Sequence, residues 1–545
     1  MEDRTNVLVI GSGISGMSCA VRCASFGLDV TLVSPFISER SQSVMAAGGI
    51  NAVVEGNDEG DTVASHIEDT LKGGGYLAKE EEVRALCERG GEIIEYLKSI
   101  GTVFSVNEDG RPAKRAFGGQ SHKRTYYCGT STGKQIVSAL VMEVRRYEAA
   151  GRIKRRLMSC FHSGLIVDGV CHGALLFDET TRGLTAVYAD AVVMATGGQN
   201  ALFGKTTGST QCDGYAEGQL FRQGVVLKNL EFIQYHPTTL ETAQKRMLIS
   251  EAARGEGGRL FYVENGHRVY FMEEKYGEKG NLMTRDLISR EMYLTKKDVW
   301  LDVSFLGEEL IRKRIPEVME LCLKYRGIDI TKEPIPVAPS VHFFMGGFAV
   351  GLHHETNIRN LFAVGECASI YHGANRLGGN SLLAAVCSAF TAAEEIAGRR
   401  ENAVHPDFSK YRDEQSDILE KKGKTESRFP VNYIRDLLAE TMQNDLGIVR
   451  DEKSLGNGIK DVDYYLETAD LIKYDNSVMP YFNYSLVGIL TLARAVLTSA
   501  LSRRESRGAH FRSDHPETDR DFAHATLISY DNGAYRTRLE DKGEV

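Results

Sequence analysis

Close to its start the chain runs Asn6-Val-Leu-Val-Ile-Gly11-Ser12-Gly13-Ile14-Ser15-Gly16, and nothing else in the sequence limits the fold so tightly. A buried-strand run that turns through G-x-G-x-x-G into an apolar helix predicts the opening of a dinucleotide-binding βαβ unit. The glycines let the backbone turn tightly and approach a pyrophosphate. The helix N-terminus adds free N–H groups and the positive end of its dipole. Asp29-Val-Thr-Leu-Val-Ser34 supplies the second strand. It ends on Ser34, where many such folds place an acid for a nucleotide ribose, so a nicotinamide cofactor is disfavoured. Far downstream come Gly365-Glu366-Cys367 and Gly373-Ala374-Asn375-Arg376-Leu377-Gly378-Gly379-Asn380-Ser381-Leu382. A nicotinamide dehydrogenase has no need to return to its cofactor so late. A flavin domain split by an inserted lobe does, and a flavoprotein is the expectation.

A chain of 545 residues exceeds what one core can hold, so two or three lobes are expected. Helical periodicity covers residues 64–104 and 132–151, and hairpin signals surround Gly164-Leu-Ile-Val-Asp168-Gly169-Val170. Ala189-Asp190-Ala191-Val192-Val193-Met194-Ala195-Thr196-Gly197-Gly198 reads as a buried strand returning to the dinucleotide sheet. Residues 222–340 lose the βαβ rhythm and form the predicted insertion. The sheet resumes at Leu361-Phe362-Ala363-Val364. This divides the chain into a discontinuous dinucleotide domain (1–221 and 341–405), an inserted lobe (222–340), a helical domain (406–505) and a polar tail segment (506–545) with few strand signals.

The net charge of −9 argues against a nucleic-acid footprint. No stretch comes near the roughly 20 apolar residues that span a bilayer, and the acidic start leads straight into a strand rather than a signal peptide. Ten cysteines form no C-x-x-C pair and no dense cluster, so no iron–sulfur or zinc site is expected within the chain. A cytoplasmic protein without its own membrane insertion is the expectation.

Four polar motifs stand out: Tyr235-His236-Pro237-Thr238, Ser250-Glu251-Ala-Ala-Arg254-Gly255-Glu256-Gly257-Gly258, Thr284-Arg285-Asp286 and His342-Phe343-Phe344-Met345-Gly346-Gly347. Singly, each fits an ordinary turn, a charged helix end, an N-cap or a strand before a bulge, and most lone histidines and arginines are satisfied structural groups. Together they set two histidines and several arginines around the flavin. Glu251 and Arg254 stand i, i+3, on one helix face. A dicarboxylate needs such a cationic clamp, because a buried carboxylate is costly unless paired.

With these residues in order, the sequence resembles the flavoprotein subunits of fumarate reductase and succinate dehydrogenase, a family that also contains L-aspartate oxidase. The likeness runs from Asn6 to about Leu527. It takes in Ala47-Gly48-Gly49-Ile50, Phe117-Gly118-Gly119, Arg254-Gly255-Glu256-Gly257, Arg285-Asp286 and Glu505-Ser506-Arg507-Gly508-Ala509-His510. The resemblance implies an α/β fold: a Rossmann-like FAD-binding domain, an inserted α+β capping domain and a C-terminal helical domain. In the family, reduced FAD gives hydride from N5 to one olefinic carbon of fumarate while an arginine protonates the other, and by position that arginine is Arg285. His236, Ser250, His342 and Arg376 fall where the family holds the substrate carboxylates, and Glu251 and Arg254 on its proton-delivery path. Gly11, Gly13 and Gly16 fall at the pyrophosphate, with Ser12 and Ser15 in the same turn. Asp213 and Glu366 fall at the ribose and ribityl hydroxyls, and Ser381 and Leu382 at the flavin pyrimidine edge. Ser34, Ser43, Ala47, Gly48 and Gly49 complete the expected cofactor set.

Two positions depart from the pattern. Membrane-bound members carry a histidine, just before the Ala-x-Gly-Gly stretch, that bonds covalently to the flavin, and Gln42 takes that place. Non-covalent FAD is therefore expected, and with it fumarate reduction rather than succinate oxidation. L-Aspartate oxidase places an acid where Phe117 stands. Phenylalanine offers a substrate ammonium no counter-charge, whereas Ser121-His122-Lys123-Arg124 has an aspartate-oxidase flavour. The leading expectation is the catalytic subunit of a cytoplasmic fumarate reductase, fed by an iron–sulfur partner subunit. A thiol-dependent archaeal type, other enoic acids, L-aspartate oxidase and a non-catalytic flavin-bearing scaffold remain open.

Overall fold

The computed structural model describes the chain except for residues 1–2, 57–59, 130, 244, 400–403, 424–428, 474–478 and 542–545. The strand Asp3–Ile10 lies between two parallel neighbours, Val30–Ser34 and Leu184–Met194. Ile153–Leu157 continues the parallel sheet beyond Val30–Ser34, and Leu361–Ala363 beyond Leu184–Met194. The inner strands are mostly apolar and buried because both faces are covered, as parallel sheets require, whereas the edge strand Ile153–Leu157 carries Lys154, Arg155 and Arg156. Leu184–Met194 also begins an antiparallel meander through Val170–Asp178 to Ser159–Val167.

Helix Ile14–Ser25 packs on this sheet against Asn380–Gly398 and Thr132–Ala149. By length and composition alone, Asn380–Gly398 is long and apolar enough to cross a membrane, which corrects the expectation that no stretch comes near. Its apolar character has a packing cause: most of the helix is buried in the core, from Asn380 through Leu382 and Phe390 to Ile396.

The capping sheet has six strands in the order Arg246–Leu248, Ile233–Glu241, Ile335–Phe344, Val299–Asp302, Arg259–Glu264 and His267–Val269. Its own core includes Leu240, Ile249, Leu260, Leu301 and Ile335. The strand Ile335–Phe344 runs through the boundary drawn at 340. It carries the chain out of the inserted lobe and back to the dinucleotide-type domain as one continuous element.

The C-terminal helices include Val431–Asp445, Glu452–Thr468 and Leu486–Ser502. The last packs so closely on Tyr215–Arg222 that a Cβ on Gly218 would stand 1.9 Å from the Gly488 carbonyl oxygen. The tail, read as polar with few strand signals, forms a hairpin of Thr526–Asp531 and Ala534–Leu539. Thr526–Asp531 pairs with Leu227–Lys228, from the start of the predicted insertion. The second strand alternates exposed and half-buried residues, so its polar sequence hides its period of two. A buried ion network anchors the approach to this hairpin. Arg503 meets Glu231 at 2.6 Å and Glu505 at 2.7 Å, and Arg507 meets Glu505 at 2.8 Å.

Candidate active site

One long cavity runs from the Gly11-Ser12-Gly13 turn, under the cap, to Arg376. Gly11 adopts φ +113°, and a Cβ there would lie 2.2 Å from the Ala195 carbonyl oxygen. Only a bare backbone leaves the turn both tight and open. Gly16 is not on the wall. A Cβ there would strike the Gly11 carbonyl oxygen at 1.9 Å, so its task is to let the helix sit against the turn. The other predicted cofactor residues do line the cavity: Ser12, Gly13, Ser15, Ser34, Ser43, Ala47, Gly48, Gly49, Asp213, Glu366, Ser381 and Leu382. At its far end Gly379, at φ +87°, opens helix Asn380–Gly398 toward the cavity and aims a positive dipole end there.

The residues present fit FAD. Gln42 lines the cavity, and its Oε1 is buried with no hydrogen-bond partner. A buried unpaired amide oxygen is costly, so the wall is built for a polar ligand. Burial pushes the Glu366 carboxyl up to about 7, against a counter-pull from the Phe344 N–H and Arg376. Burial likewise raises Asp213.

The other half of the cavity is cationic. Strand Ile233–Glu241 brings Gln234 and His236, Ile335–Phe344 brings His342, and helix Arg285–Thr295 begins on Arg285 itself. Glu251 Oε2 accepts from Arg285 Nε at 2.9 Å and Nη2 at 2.7 Å, while its Oε1 accepts the Gly118 N–H at 2.7 Å. Burial alone would raise the Glu251 carboxyl, but Arg285, Arg254 and the Gly118 N–H outweigh it and hold it down to about 2. Arg254 lies 3.8 Å behind Glu251 and donates to the Asn281 carbonyl oxygen at 2.7 Å. Arg254 therefore stands off the cavity wall, whereas Arg285, Glu251, His236, Ser250, His342 and Arg376 all line it.

Sequence reasoning passes over Gln234. Its Oε1 accepts from Arg285 at 3.2 Å and Arg376 at 3.0 Å, and its Nε2 donates to Asn375 and to the Arg376 carbonyl oxygen, each at 2.7 Å. The available signal was its place two residues before His236 on one strand. Thr207 was missed as well: its hydroxyl lies 2.8 Å from His342 Nδ1. His236 and His342 face each other with ring centroids 5.3 Å apart. Burial first, then the surrounding arginines, push both well below the usual histidine range, so both are neutral.

Phe117 packs against Gly48 and Gly378, where a Cβ would come within 3.1 Å of its ring. Ser121-His122-Lys123-Arg124 lies elsewhere. Arg124 is fully buried against Asp61 and Asp69, each at 2.8 Å, and Ser121 bonds Asp69. None of these four residues lines the cavity.

Comparison with known proteins identifies the family. A family model described as "FAD binding domain" matches residues 6–382, and one described as "Fumarate reductase flavoprotein C-term" matches residues 435–543. The chain is similar to the succinate dehydrogenase flavoprotein subunit of Bacillus subtilis, at 34% identity over 95% of this chain and 92% of that protein. It is similar to the fumarate reductase flavoprotein subunit of Haemophilus influenzae, at 32% identity over 97% of this chain and 93% of that protein. In structure it resembles an E. coli quinol fumarate reductase FrdA variant, with a TM-score of 0.90 at 29% identity over 99% and 97%. The chain therefore belongs to the flavoprotein subunits of succinate dehydrogenase and fumarate reductase, FAD-dependent oxidoreductases of the succinate/fumarate CH–CH bond.

Proposed function

We propose that this chain is the catalytic flavoprotein subunit of a fumarate reductase, producing succinate. The observation that carries this reading is the charge of the site. Arg254, Arg285 and Arg376 are buried beside Glu251, whose carboxyl is held ionised, and both histidines are neutral. Guanidinium charge exceeds the firmly ionised carboxylate there, and such buried positive charge calls for an anionic substrate. Phe117 supports an uncharged C2, because a substrate ammonium there would find no counter-charge. The segment that spoke for L-aspartate oxidase holds Asp61 and Asp69 instead.

Bound, reduced FAD supplies a hydride to one olefinic carbon. Arg376, His236, His342 and Ser250 hold the two carboxylates. The Thr207 hydroxyl, 2.8 Å from His342 Nδ1, engages that ring nitrogen and leaves Nε2 for substrate. Arg285 protonates the second carbon. A guanidinium can serve as the acid because the carbanion is a far stronger base and the positive charge stabilises it in a water-poor site. Glu251, bonded to Arg285 through two nitrogens, returns the proton, with Arg254 behind it.

In this reading FAD is held without a covalent bond, since Gln42 cannot form one. Electrons arrive from an iron–sulfur partner protein, as the relatives' description as flavoprotein subunits suggests. Any membrane contact is made through partners on the cytoplasmic side, and the ten free, buried cysteines suit a reducing compartment. The test is anaerobic stopped-flow. Fumarate should reoxidise the reduced flavin rapidly, and L-aspartate should leave the oxidised flavin unchanged. Rapid reduction by L-aspartate, without reoxidation by fumarate, would overturn the proposal.

A further inference from the structure

The cavity wall includes one side chain from the C-terminal helical domain, Tyr481. It lies on the short helix Pro480–Tyr484, and its phenol donates to Asp213 Oδ1 at 2.9 Å. The same oxygen accepts the Tyr215 N–H at 3.0 Å, so both donors end on Oδ1 and Oδ2 is left for another partner. The helix is held from three sides. Arg435, on Val431–Asp445, donates to the Phe482 carbonyl oxygen at 2.9 Å and the Ser485 hydroxyl at 2.7 Å. The Tyr481 N–H donates to Glu179 at 3.0 Å. Tyr215, Tyr481 and Tyr484 form an edge-to-face cluster with centroids 5.4–5.7 Å apart.

We propose that Tyr481 is a positioning residue of the FAD site. It orients Asp213 toward the cofactor and thereby makes docking of the helical domain and binding of FAD support each other. The inference rests on FAD filling this cavity with Asp213 against one of its hydroxyls. The physical logic is linkage: a contact formed only when the Pro480–Tyr484 helix is seated raises FAD affinity, and bound FAD must raise the stability of the seated helix by the same factor. In a chain whose Gln42 forgoes a covalent tether, such a clasp is where retention of the cofactor would be set.

The test uses the full-length holoprotein and Tyr481→Phe, which keeps the ring and its packing. A hydrogen bond to a charged or strongly polar acceptor typically changes an equilibrium by about ten- to a hundred-fold. Tyr481→Phe should therefore bind FAD about that much more weakly, with the apoprotein melting as the parent does. Asp213→Asn should weaken binding too, and the double variant should be hardly worse than Asp213→Asn alone, because Tyr481 acts through that carboxylate. The amides of Phe482 and Ser485, which bond the carbonyl oxygens of Met479 and Tyr481, should exchange faster without FAD in the parent. In Tyr481→Phe they should respond much less to FAD. Unchanged FAD affinity in Tyr481→Phe, strictly additive losses, or protection indifferent to FAD would each overturn the proposal. Failure of the parent chain to bind FAD would instead sink the reading of the cavity. If the flavin proved covalent, amide exchange compared between the parent and Tyr481→Phe holoproteins would still decide the matter.

Discussion

Replacing Arg285 by glutamine removes the proposed proton donor and its charge from beside Glu251 while leaving the cofactor half of the cavity intact. Turnover should fall by about 10²–10⁴, with the flavin spectrum preserved and substrate affinity changed far less. Retention of a tenth of normal turnover would rule out the assignment. Arg376→Gln should behave differently, raising KM more than it lowers kcat, because the side chain is assigned to grip a carboxylate in ground and transition states alike. For the cofactor, acid denaturation should release all the flavin into the supernatant, and colour left on the denatured chain would refute non-covalent binding. The charged side chains of this site were legible in the sequence because their motifs sit in family order. Gln234 and Thr207 were not, because each works only through a neighbour from a distant strand or loop. A glutamine becomes meaningful when two arginines converge on its oxygen, and that convergence is made by the fold.

At the level of elements, the junction between the Gly378-Gly379 turn and helix Asn380–Gly398 should be the least forgiving part of the cofactor site. A Cβ on Gly379 would stand 2.0 Å from Asn51 Oδ1, and Asn51 donates to both the Gly378 carbonyl oxygen and Asn380 Oδ1 at 2.7 Å. Gly379→Ala adds a left-handed backbone cost of about 1–2 kcal/mol to that clash. It should displace the helix N-terminus and weaken FAD at least about tenfold, read as flavin lost on gel filtration. The βαβ opening, the insertion and the return to the sheet could all be read from buried-strand runs and glycine turns. The terminal hairpin was missed although its signal was present. Asn532-Gly533, both at positive φ, is the preferred two-residue connection between antiparallel strands, and the polar composition around it masked the alternation. Helix Asn380–Gly398 was overlooked as an apolar run, although a core helix surrounded by protein can match one surrounded by lipid in length and composition.

For the molecule as a whole, acid should act early. Burial holds His66 and His354 at about 4 and His372 at about 3, and pushes His236, His342 and His510 well below the usual range. Unfolded, all six would titrate near 6.5. The unfolded state therefore binds more protons as pH drops below about 6.5, and stability falls with it, by up to about 1.4 kcal/mol per pH unit for each histidine. Their stabilisation is whole above that pH and is lost progressively toward 4 and below. The melting temperature should decline steeply between pH 7 and 5 and stay nearly flat from 7 to 8, and a flat profile down to pH 5 would contradict these buried neutral rings. The pairing of Leu227–Lys228 with Thr526–Asp531 has a different consequence, in time. A nascent chain emerges at about 5–20 residues per second, so the short strand near residue 228 waits roughly 15–60 s for its partner. Through that interval the ribosome holds a half-built sheet with an open edge, and Arg503 has not yet arrived to neutralise Glu231.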